Sequence, residues 1–379
     1  MDEKQIDDVS ETVSAGLRPA LIVSRYTISE YVISLKHLLV GLADESVQAV
    51  LVCPPDAKVE DIMVPGLEVI RYPVFAVPFM GWQNRKILAE RLLKFGPTVL
   101  HCLCESEATL VRLLTKELNI PYVLTVNSLQ KGWGQLSISL NRCAKIIAPT
   151  RSIAASIEKS YPKFAERVAV VNVGTFARNC SNCFSDTSRL ASIVTSGPVR
   201  DGREFRSLFG AVKHLVVDGY EFMLVVIAGR QNDKQLRMLL REYGLLNIVV
   251  SVPRQVPWRP VLAAGDIFVQ AQPSDFFNPL LLEAMSVGAT VACCKGGVDD
   301  LMIDGQNCIV FDPDNELSIY DSLKRLFDNH QQAQQLAQRA QQYLRENYKA
   351  STMVSQTLQT YRQAQDWYKN IEPVYSSRP

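Results

Sequence analysis

Short, fully apolar runs separated by amphipathic stretches recur along this 379-residue chain, and that alternation limits its fold more than any other feature. The runs ALIV from Ala20, AVLVC from Ala49, LEVIRY from Leu67, TVLHCL from Thr98, YVLTV from Tyr122, KIIAPT from Lys145 and VAVVNVG from Val168 read as strands. Helical patterns lie between them. Tyr31, Leu35, Leu38 and Leu39 share one helical face, and so do Ile153 and Ile157. Strands that are apolar on both faces and alternate with helices predict a parallel sheet covered on both sides. The pattern stops at FARNCSNCFSDTSR, from Phe176 to Arg189, which is polar and aperiodic. It restarts with LASIVTS from Leu190, FMLVVIAG from Phe222, IVVSVP from Ile248, DIFVQAQ from Asp266, TVACCK from Thr290 and NCIVF from Asn307.

Two consecutive doubly wound α/β domains follow from this. The expected boundaries are a polar extension over 1–17, a first domain over 18–176, a linker over 177–189, a second domain over 190–349 and a last helix over 350–379. The helical tail from about Ser318 to Lys369 holds no Pro or Gly. Ligands bind outside the carboxyl ends of parallel strands. Two such domains facing across a cleft suit a reaction between two substrates, one held by each.

Composition narrows the class. Hydrophobic residues make up 47%, enough for two cores, and the formal net charge of +1 gives no sign of a nucleic-acid partner. Nine cysteines, an odd number, sit partly inside apolar runs, as reduced buried thiols of a cytoplasmic protein do. Cys180 and Cys183 form one CxxC without the second ligand pair that a structural zinc requires. The acidic start MDEKQIDDVSETVSAG is unlike a signal peptide, and no apolar stretch is long enough to span a bilayer.

The most informative segment runs from Ala263 to Pro313: AAGDIFVQAQPSDFFNPLLLEAMSVGATVACCKGGVDDLMIDGQNCIVFDP. A strand opens on Asp266, Pro273-Ser274 and the acidic Asp275 follow, and Glu283 stands in LLEAM eight positions beyond Asp275. Gly288, the loop Gly296-Gly297 and the turn Asp304-Gly305 complete it. In order and spacing this resembles the donor-binding region of glycosyltransferase family four. Weaker resemblance covers LNIPYVLTVNSL from Leu118, CAKIIAPTRSIAASI from Cys143 and VVNVGTF from Val170. The resemblance implies the GT-B fold: two Rossmann-like domains with a C-terminal helix crossing back to the first. It implies a retaining transfer from a nucleoside-diphosphate sugar, with neither metal nor other cofactor, to a glycan or lipid-linked acceptor. Glu283 would hold the nucleotide ribose and Asp275 would orient the sugar, since a carboxylate accepts two hydrogen bonds from a diol. Asn278, Pro279 and Leu280 open a helix whose backbone N–H groups can face the diphosphate. Gly296 and Gly297 would let backbone approach the ligand, or simply make a strand–helix turn. Asp312 and Asp314 read as turn chemistry.

Several positions depart from the family pattern. The diphosphate-neutralising Arg and Lys expected after the first strand of the second domain align with Ser196 and Asp201 in TSGPVRDGREF. Arg200 and Arg203, in the same loop as Gly197, are the available substitutes. After ALIVSRY the first-domain loop is Thr27-Ile28-Ser29-Glu30 and lacks glycine, and Asn127 takes the place of a customary His. Thr27, Ser29 and Asn127 are therefore the expected acceptor-side residues. Asn278 stands where Gly is usual, and Asp275 is one methylene shorter than the usual Glu. His101, within TVLHC, reads as a core or strand-end residue.

An active transferase with a shifted phosphate clamp fits these changes. So does a degenerate member that binds a sugar nucleotide, a glycan or a partner enzyme without turnover. A sugar-nucleotide epimerase on the same scaffold is a third option. The stretch 75–94 combines Phe75, Phe79, Met80 and Trp82 with Arg85, Lys86, Arg91 and Lys94. It suits peripheral contact with an anionic bilayer, or a buried loop followed by an amphipathic helix.

Overall fold

The computed structural model describes residues 16–72, 81–132, 136–179, 183–186, 188–196, 205–228, 233–253 and 258–376. They form two compact units, one of Met1–Gly174 with Ala350–Pro379 and one of Thr175–Lys349.

In the first unit β1 (Pro19–Ile22), α1 (Arg25–Glu30), α2 (Val32–Asp44), β2 (Val50–Cys53), β3 (Glu68–Arg71), α3 (Gly81–Phe95), β4 (Val99–Cys102), α4 (Ala108–Leu118), β5 (Tyr122–Thr125), β6 (Cys143–Ala148), α5 (Arg151–Ser160) and β7 (Val168–Val170) follow in order. All seven strands are parallel, in the order β3-β2-β1-β4-β5-β6-β7. Every residue of β1, β2, β4 and β5 is buried, as unbroken apolar runs demand. The predicted helical faces point inward: Tyr31, Leu35, Leu38, Leu39, Ile153 and Ile157 are all buried.

The second unit runs β8 (Ala191–Ser196), α6 (Arg206–Val217), β9 (Phe222–Ala228), α7 (Asp233–Tyr243), β10 (Val249–Pro253), α8 (Arg259–Ala263), β11 (Ile267–Gln270), α9 (Pro279–Val287), β12 (Thr290–Cys294), β13 (Ile309–Phe311), α10 (Glu316–Asp328) and α11 (His330–Asn347). Its parallel sheet has the order β10-β9-β8-β11-β12-β13. The order reverses between β8 and β11, as it does between β1 and β4, and such switch points open the crevices where ligands settle.

The last helix, α12 (Ala350–Ser376), belongs to the first unit, where it packs on α2 and on β4, β5 and β6. Met353, Leu358 and Tyr361 are buried there, as expected of a returning helix. Gly41 makes the α2 crossing possible, because a Cβ on it would collide with Val354. The tail is three helices instead of one. Asn329 ends α10 and caps α11 by accepting from Gln332 N–H at 2.9 Å, so an Asn does the work that Gly or Pro would have signalled.

The segment read as a linker behaves otherwise. Cys183 and Phe184 lie in the core of the second unit, and Phe184 stacks on His330 at 4.2 Å. Asp266 ties the segment down. It accepts from Phe184 N–H at 2.7 Å, from Ser192 N–H at 2.8 Å and from both terminal nitrogens of Arg189 at 2.8 and 2.7 Å. Polar composition suggested a free connection; a single buried carboxylate fastens it to the sheet.

Of the CxxC pair, Cys180 lies outside the described residues. The eight described cysteines are buried, and no cluster of metal-ligating side chains occurs among the described residues. Nor is any described helix long and apolar enough to cross a membrane.

Candidate functional site

In the second unit the loop after β11 is pinned to the loop after β12. Val298 N–H donates to Ser274 O at 2.7 Å, and Ser274 pairs with Gly297 as an isolated parallel bridge. Gly297 has φ +70°, and a Cβ there would collide with the Ser274 backbone. Gly296 has φ +103°. The chain's own crossing therefore accounts for Gly297, and the positive φ alone favours glycine at 296. Asp275 is half-buried beside the exposed Phe276, and Lys295 is exposed. Asp312 Oδ1 accepts from Asp314 N–H at 3.0 Å, so that pair builds a turn.

The start of α9 carries a side-chain cap. Asn278 is its N-cap, and the side-chain Oδ1 accepts from Leu280 N–H at 3.0 Å and Leu281 N–H at 3.4 Å. Pro279 has no N–H, and Leu282 N–H bonds Asn278 O at 3.4 Å. The amides expected to face a diphosphate are thus occupied by the residue that stands where the family has Gly.

That cap fixes a second group. With Oδ1 held by the helix, Asn278 must present Nδ2, which donates to Gln270 Oε1 at 2.9 Å. Gln270 Nε2 is then left pointing elsewhere, buried and with no hydrogen-bond partner among the described residues, on a residue only 5% exposed at the carboxyl end of β11. Sequence reasoning passed over Gln270. A Gln closing an otherwise apolar strand was the available signal.

Glu283 is 4% exposed. Thr175 Oγ1 donates to its Oε1 at 2.8 Å, and Ser286 Oγ donates to its Oε2 at 3.2 Å. Arg259 Nε lies 3.4 Å from Oε2, close enough for an ion pair but without hydrogen-bond alignment, while Arg259 Nη2 donates to Phe176 O at 2.6 Å. Burial raises the Glu283 carboxyl above its ordinary pKa, and Arg259, Thr175 and Ser286 pull the other way. The structure thus places Glu283 in a buried polar knot. Gly197, Arg200 and Arg203 lie outside the described residues.

In the first unit a capping box replaces the glycine loop. Ser24 Oγ accepts from Thr27 N–H at 3.1 Å, Thr27 Oγ1 accepts from Ser24 N–H at 3.4 Å, and helix α1 begins directly after β1. Asn127 N–H donates to Glu105 Oε1 at 2.6 Å, and its Nδ2 donates to Leu103 O at 3.1 Å. Thr27 and Asn127 line one pocket. Ser29 is not among its walls, and its hydroxyl donates to Tyr26 O at 3.1 Å. His101 is a core residue, 2% exposed, joined to Tyr361 Oη at 2.6 Å and Thr125 Oγ1 at 2.8 Å. Burial pushes its pKa down to about 3, so the ring is neutral at neutral pH.

In α3 the residues Leu88, Leu92 and Phe95 are buried, which makes it an amphipathic helix packed on the unit; Phe75, Phe79 and Met80 lie outside the described residues. Trp82, at its start, is 62% exposed.

Residues 32–175 match the family model Glycosyltransferase Family 4, and residues 192–329 match Glycosyl transferases group 1. No curated protein matches the chain. Among solved structures, Anabaena HepE in complex with UDP and glucose is similar at 14% identity and a TM-score of 0.74, over 91% of this chain and 99% of that one. Sucrose-phosphate synthase from Thermosynechococcus elongatus is similar at 16% identity and TM-score 0.73, over 92% and 98%. A glycosyltransferase from Rickettsia africae is similar at 14% identity and TM-score 0.72, over 92% and 98%. With a seven-stranded and a six-stranded parallel sheet, a returning last helix and both family models matched, the chain belongs to glycosyltransferase family four and has the GT-B fold.

Proposed function

We propose that the protein moves a sugar from a nucleoside-diphosphate sugar to a hydroxyl of a glycan or lipid-linked acceptor, with retention at the anomeric carbon. The observation that carries this reading is the second unit's switch point, where Asn278 caps α9 and leaves the buried Gln270 Nε2 without an acceptor. An unpaired buried donor costs about 1–3 kcal/mol, which a ligand oxygen would recover. A diphosphate oxygen would compete with Asn278 Oδ1 for the Leu280 and Leu281 N–H groups, and Arg200 or Arg203, in the Gly197 loop, would neutralise the leaving charge. Asp275 would orient the sugar. Glu283 would meet a ribose hydroxyl through Oε1, where Thr175 leaves one lone pair. Thr27 and Asn127 would serve the acceptor. The donor needs no metal in this reading.

Kinship to HepE, crystallised with UDP-glucose, supports the donor class. The same reading puts the protein in the cytoplasm, with peripheral membrane contact through 75–94. The exposed Trp82, with the Lys86 ammonium 5.8 Å from its ring, supports that contact. Trp82→Ala should abolish flotation with anionic vesicles; wild-type protein that never floats removes the membrane part.

A second reading, binding without turnover, gains support from the protein contacts on both Glu283 carboxylate oxygens and from the occupied α9 amides. Calorimetric titration with UDP, GDP, ADP and their sugars, followed by product analysis with and without acceptors, separates the readings. Binding and acceptor-dependent transfer support the first. Binding with no turnover supports the second, and product formed without acceptor points to an epimerase. No binding by any nucleotide defeats the donor assignment altogether.

A further inference from the structure

The first unit holds an open pocket of about 560 Å³, a volume that includes solvent space at its mouth. Its floor is one face of the sheet. Strand register puts His101 in one row, Leu103, Thr125 and Ile147 in the next, and Asn127, Pro149 and Val171 in a third, nearer the carboxyl edge. Its roof comes from Leu35 and Leu38 on α2 and from Met353 and Thr357 on α12. The walls are mostly apolar. The polar groups are few and ordered, and they can be counted.

His101, Thr125 and Tyr361 form a chain of two hydrogen bonds. A neutral imidazole brings one hydrogen and each hydroxyl brings one, so three hydrogens serve two bonds. One hydroxyl hydrogen is left over in either tautomer. With the proton on Nε2, His101 donates to Thr125 and the spare hydrogen belongs to Thr125, which lines the pocket; with the proton on Nδ1 the spare hydrogen belongs to Tyr361, so a ligand oxygen at Thr125 would select the first arrangement. At the row above, Asn127 spends its Nδ2 on Leu103 O and its backbone N–H on Glu105, while among the described residues none donates to its Oδ1. The pocket therefore offers the Thr125 hydroxyl inside and Asn127 Oδ1 at the carboxyl edge, with Thr27, Tyr31, Ser34 and Thr357 further polar side chains in its mostly apolar lining.

We infer that this pocket seats the apolar aglycone of the acceptor: an alkyl or aryl group whose linking oxygen accepts from Thr125 and whose sugar hydroxyl donates to Asn127. The inference rests on the proposed transferase reading for calling the ligand an acceptor, but the binding it requires needs no donor. It also separates the two acceptor classes, because a free glycan has nothing to place against Leu35, Leu38, Val171 and Met353.

The test is a calorimetric titration of the full chain with glucose and with n-alkyl glucosides from methyl to octyl, each below its micelle concentration and without nucleotide. Each methylene that enters the pocket should tighten binding about fourfold, at about 0.8 kcal/mol per buried CH₂. The gain should stop when the space is full. In the same series a ¹³C-methyl methionine spectrum should show the Met353 signal shifting as the pocket fills. Thr125→Val, which keeps the shape and loses the hydroxyl, should weaken all alkyl glucosides by a common factor. Leu38→Trp should block the long chains only. Equal affinity for methyl and octyl glucosides, or tight octyl binding that leaves the Met353 signal in place, overturns the inference. The Met353 measurement uses wild-type protein, so a Leu38→Trp variant that fails to fold does not shield the idea. Failure of UDP, GDP and ADP to bind while the alkyl series behaves as stated would remove the donor reading and leave the pocket assignment standing.

Discussion

Replacing Asn278 with Gly should lower stability and raise nucleotide affinity together, and the two changes can be worked out separately. Gly at an N-cap costs only a few tenths of a kcal/mol relative to Asn. The larger loss is the bond from Asn278 Nδ2 to Gln270 Oε1, which leaves the buried Gln270 amide unpaired at both ends. Leaving one such group unsatisfied costs about 1–3 kcal/mol. For a unit of this size each kcal/mol lowers Tm by about 2–4 °C, so scanning calorimetry should show a fall of about 2–12 °C. Against this, a diphosphate would no longer have to displace Oδ1 from two backbone N–H groups. Each displaced hydrogen bond is worth about 0.5–1.5 kcal/mol net, and two correspond to a gain of about five- to 150-fold in affinity. Isothermal titration with UDP, GDP and ADP reads this directly. Asn278→Asp, which keeps the cap and adds charge, should instead weaken diphosphate binding. A Gly variant that loses stability but binds no tighter would refute the idea that α9 is where the diphosphate goes.

Asp266→Ala strips the anchor from Arg189, Phe184 N–H and Ser192 N–H and should cost about 3–5 kcal/mol in urea unfolding of the second unit, as breaking a buried pair does. A loss under about 1 kcal/mol would mean the segment 183–189 is not held by that carboxylate. Glu283→Gln should cost at most about 3–5 kcal/mol, with the exposure of Arg259 reducing it, and should weaken nucleoside binding more than phosphate binding. Equal effects on both ligands would make Glu283 purely structural. His101 supplies the pH test. Its folded value is pushed down to about 3, from an ordinary 6.5, so only the unfolded chain takes up the proton at mildly acid pH. Its contribution is complete above about pH 6.5 and is lost as pH falls toward 3, at up to about 1.4 kcal/mol per pH unit. Urea melts at about pH 7.5 and about pH 5 should show His101→Gln losing less stability to acid than wild type, by up to about 2 kcal/mol. Parallel losses would refute the buried neutral ring.

The two parallel sheets were legible because burial on both faces forces unbroken apolar runs, and VLVC, YVLT and IFVQ show them plainly. The return of the last helix to the first unit was implied by the family resemblance, with Met353, Leu358 and Tyr361 as the apolar residues available to bury. The breaks in the tail were not, since Asn329 caps through a side chain that composition does not separate from any other Asn. Segment 176–189 misled for a related reason: Asp266 accepts from the Phe184 N–H across 82 residues of sequence, and no local pattern carries that information. At the site, the sequence drew attention to Glu283 and Asn278, while their hydrogen-bond and ion-pair partners Thr175, Arg259 and Gln270 were missed. Hydrogen-bond partners brought together by topology leave no periodic trace in a sequence.

The departure at position 278 is the one whose consequences reach furthest. A Gly would leave the first amides of α9 open; Asn closes them from within and passes its own spare donor to Gln270. Were the site required only to stay shut, that relay would be best ended by an apolar residue at 270, because a buried amide with an idle N–H group is a standing cost of about 1–3 kcal/mol. An idle donor, buried at the carboxyl end of the strand beside the switch point, is instead what a site awaiting a ligand oxygen requires. Gln270→Leu therefore divides the two readings: it should stabilise the free protein if the relay serves nothing, and should cost nucleotide affinity if it serves the donor.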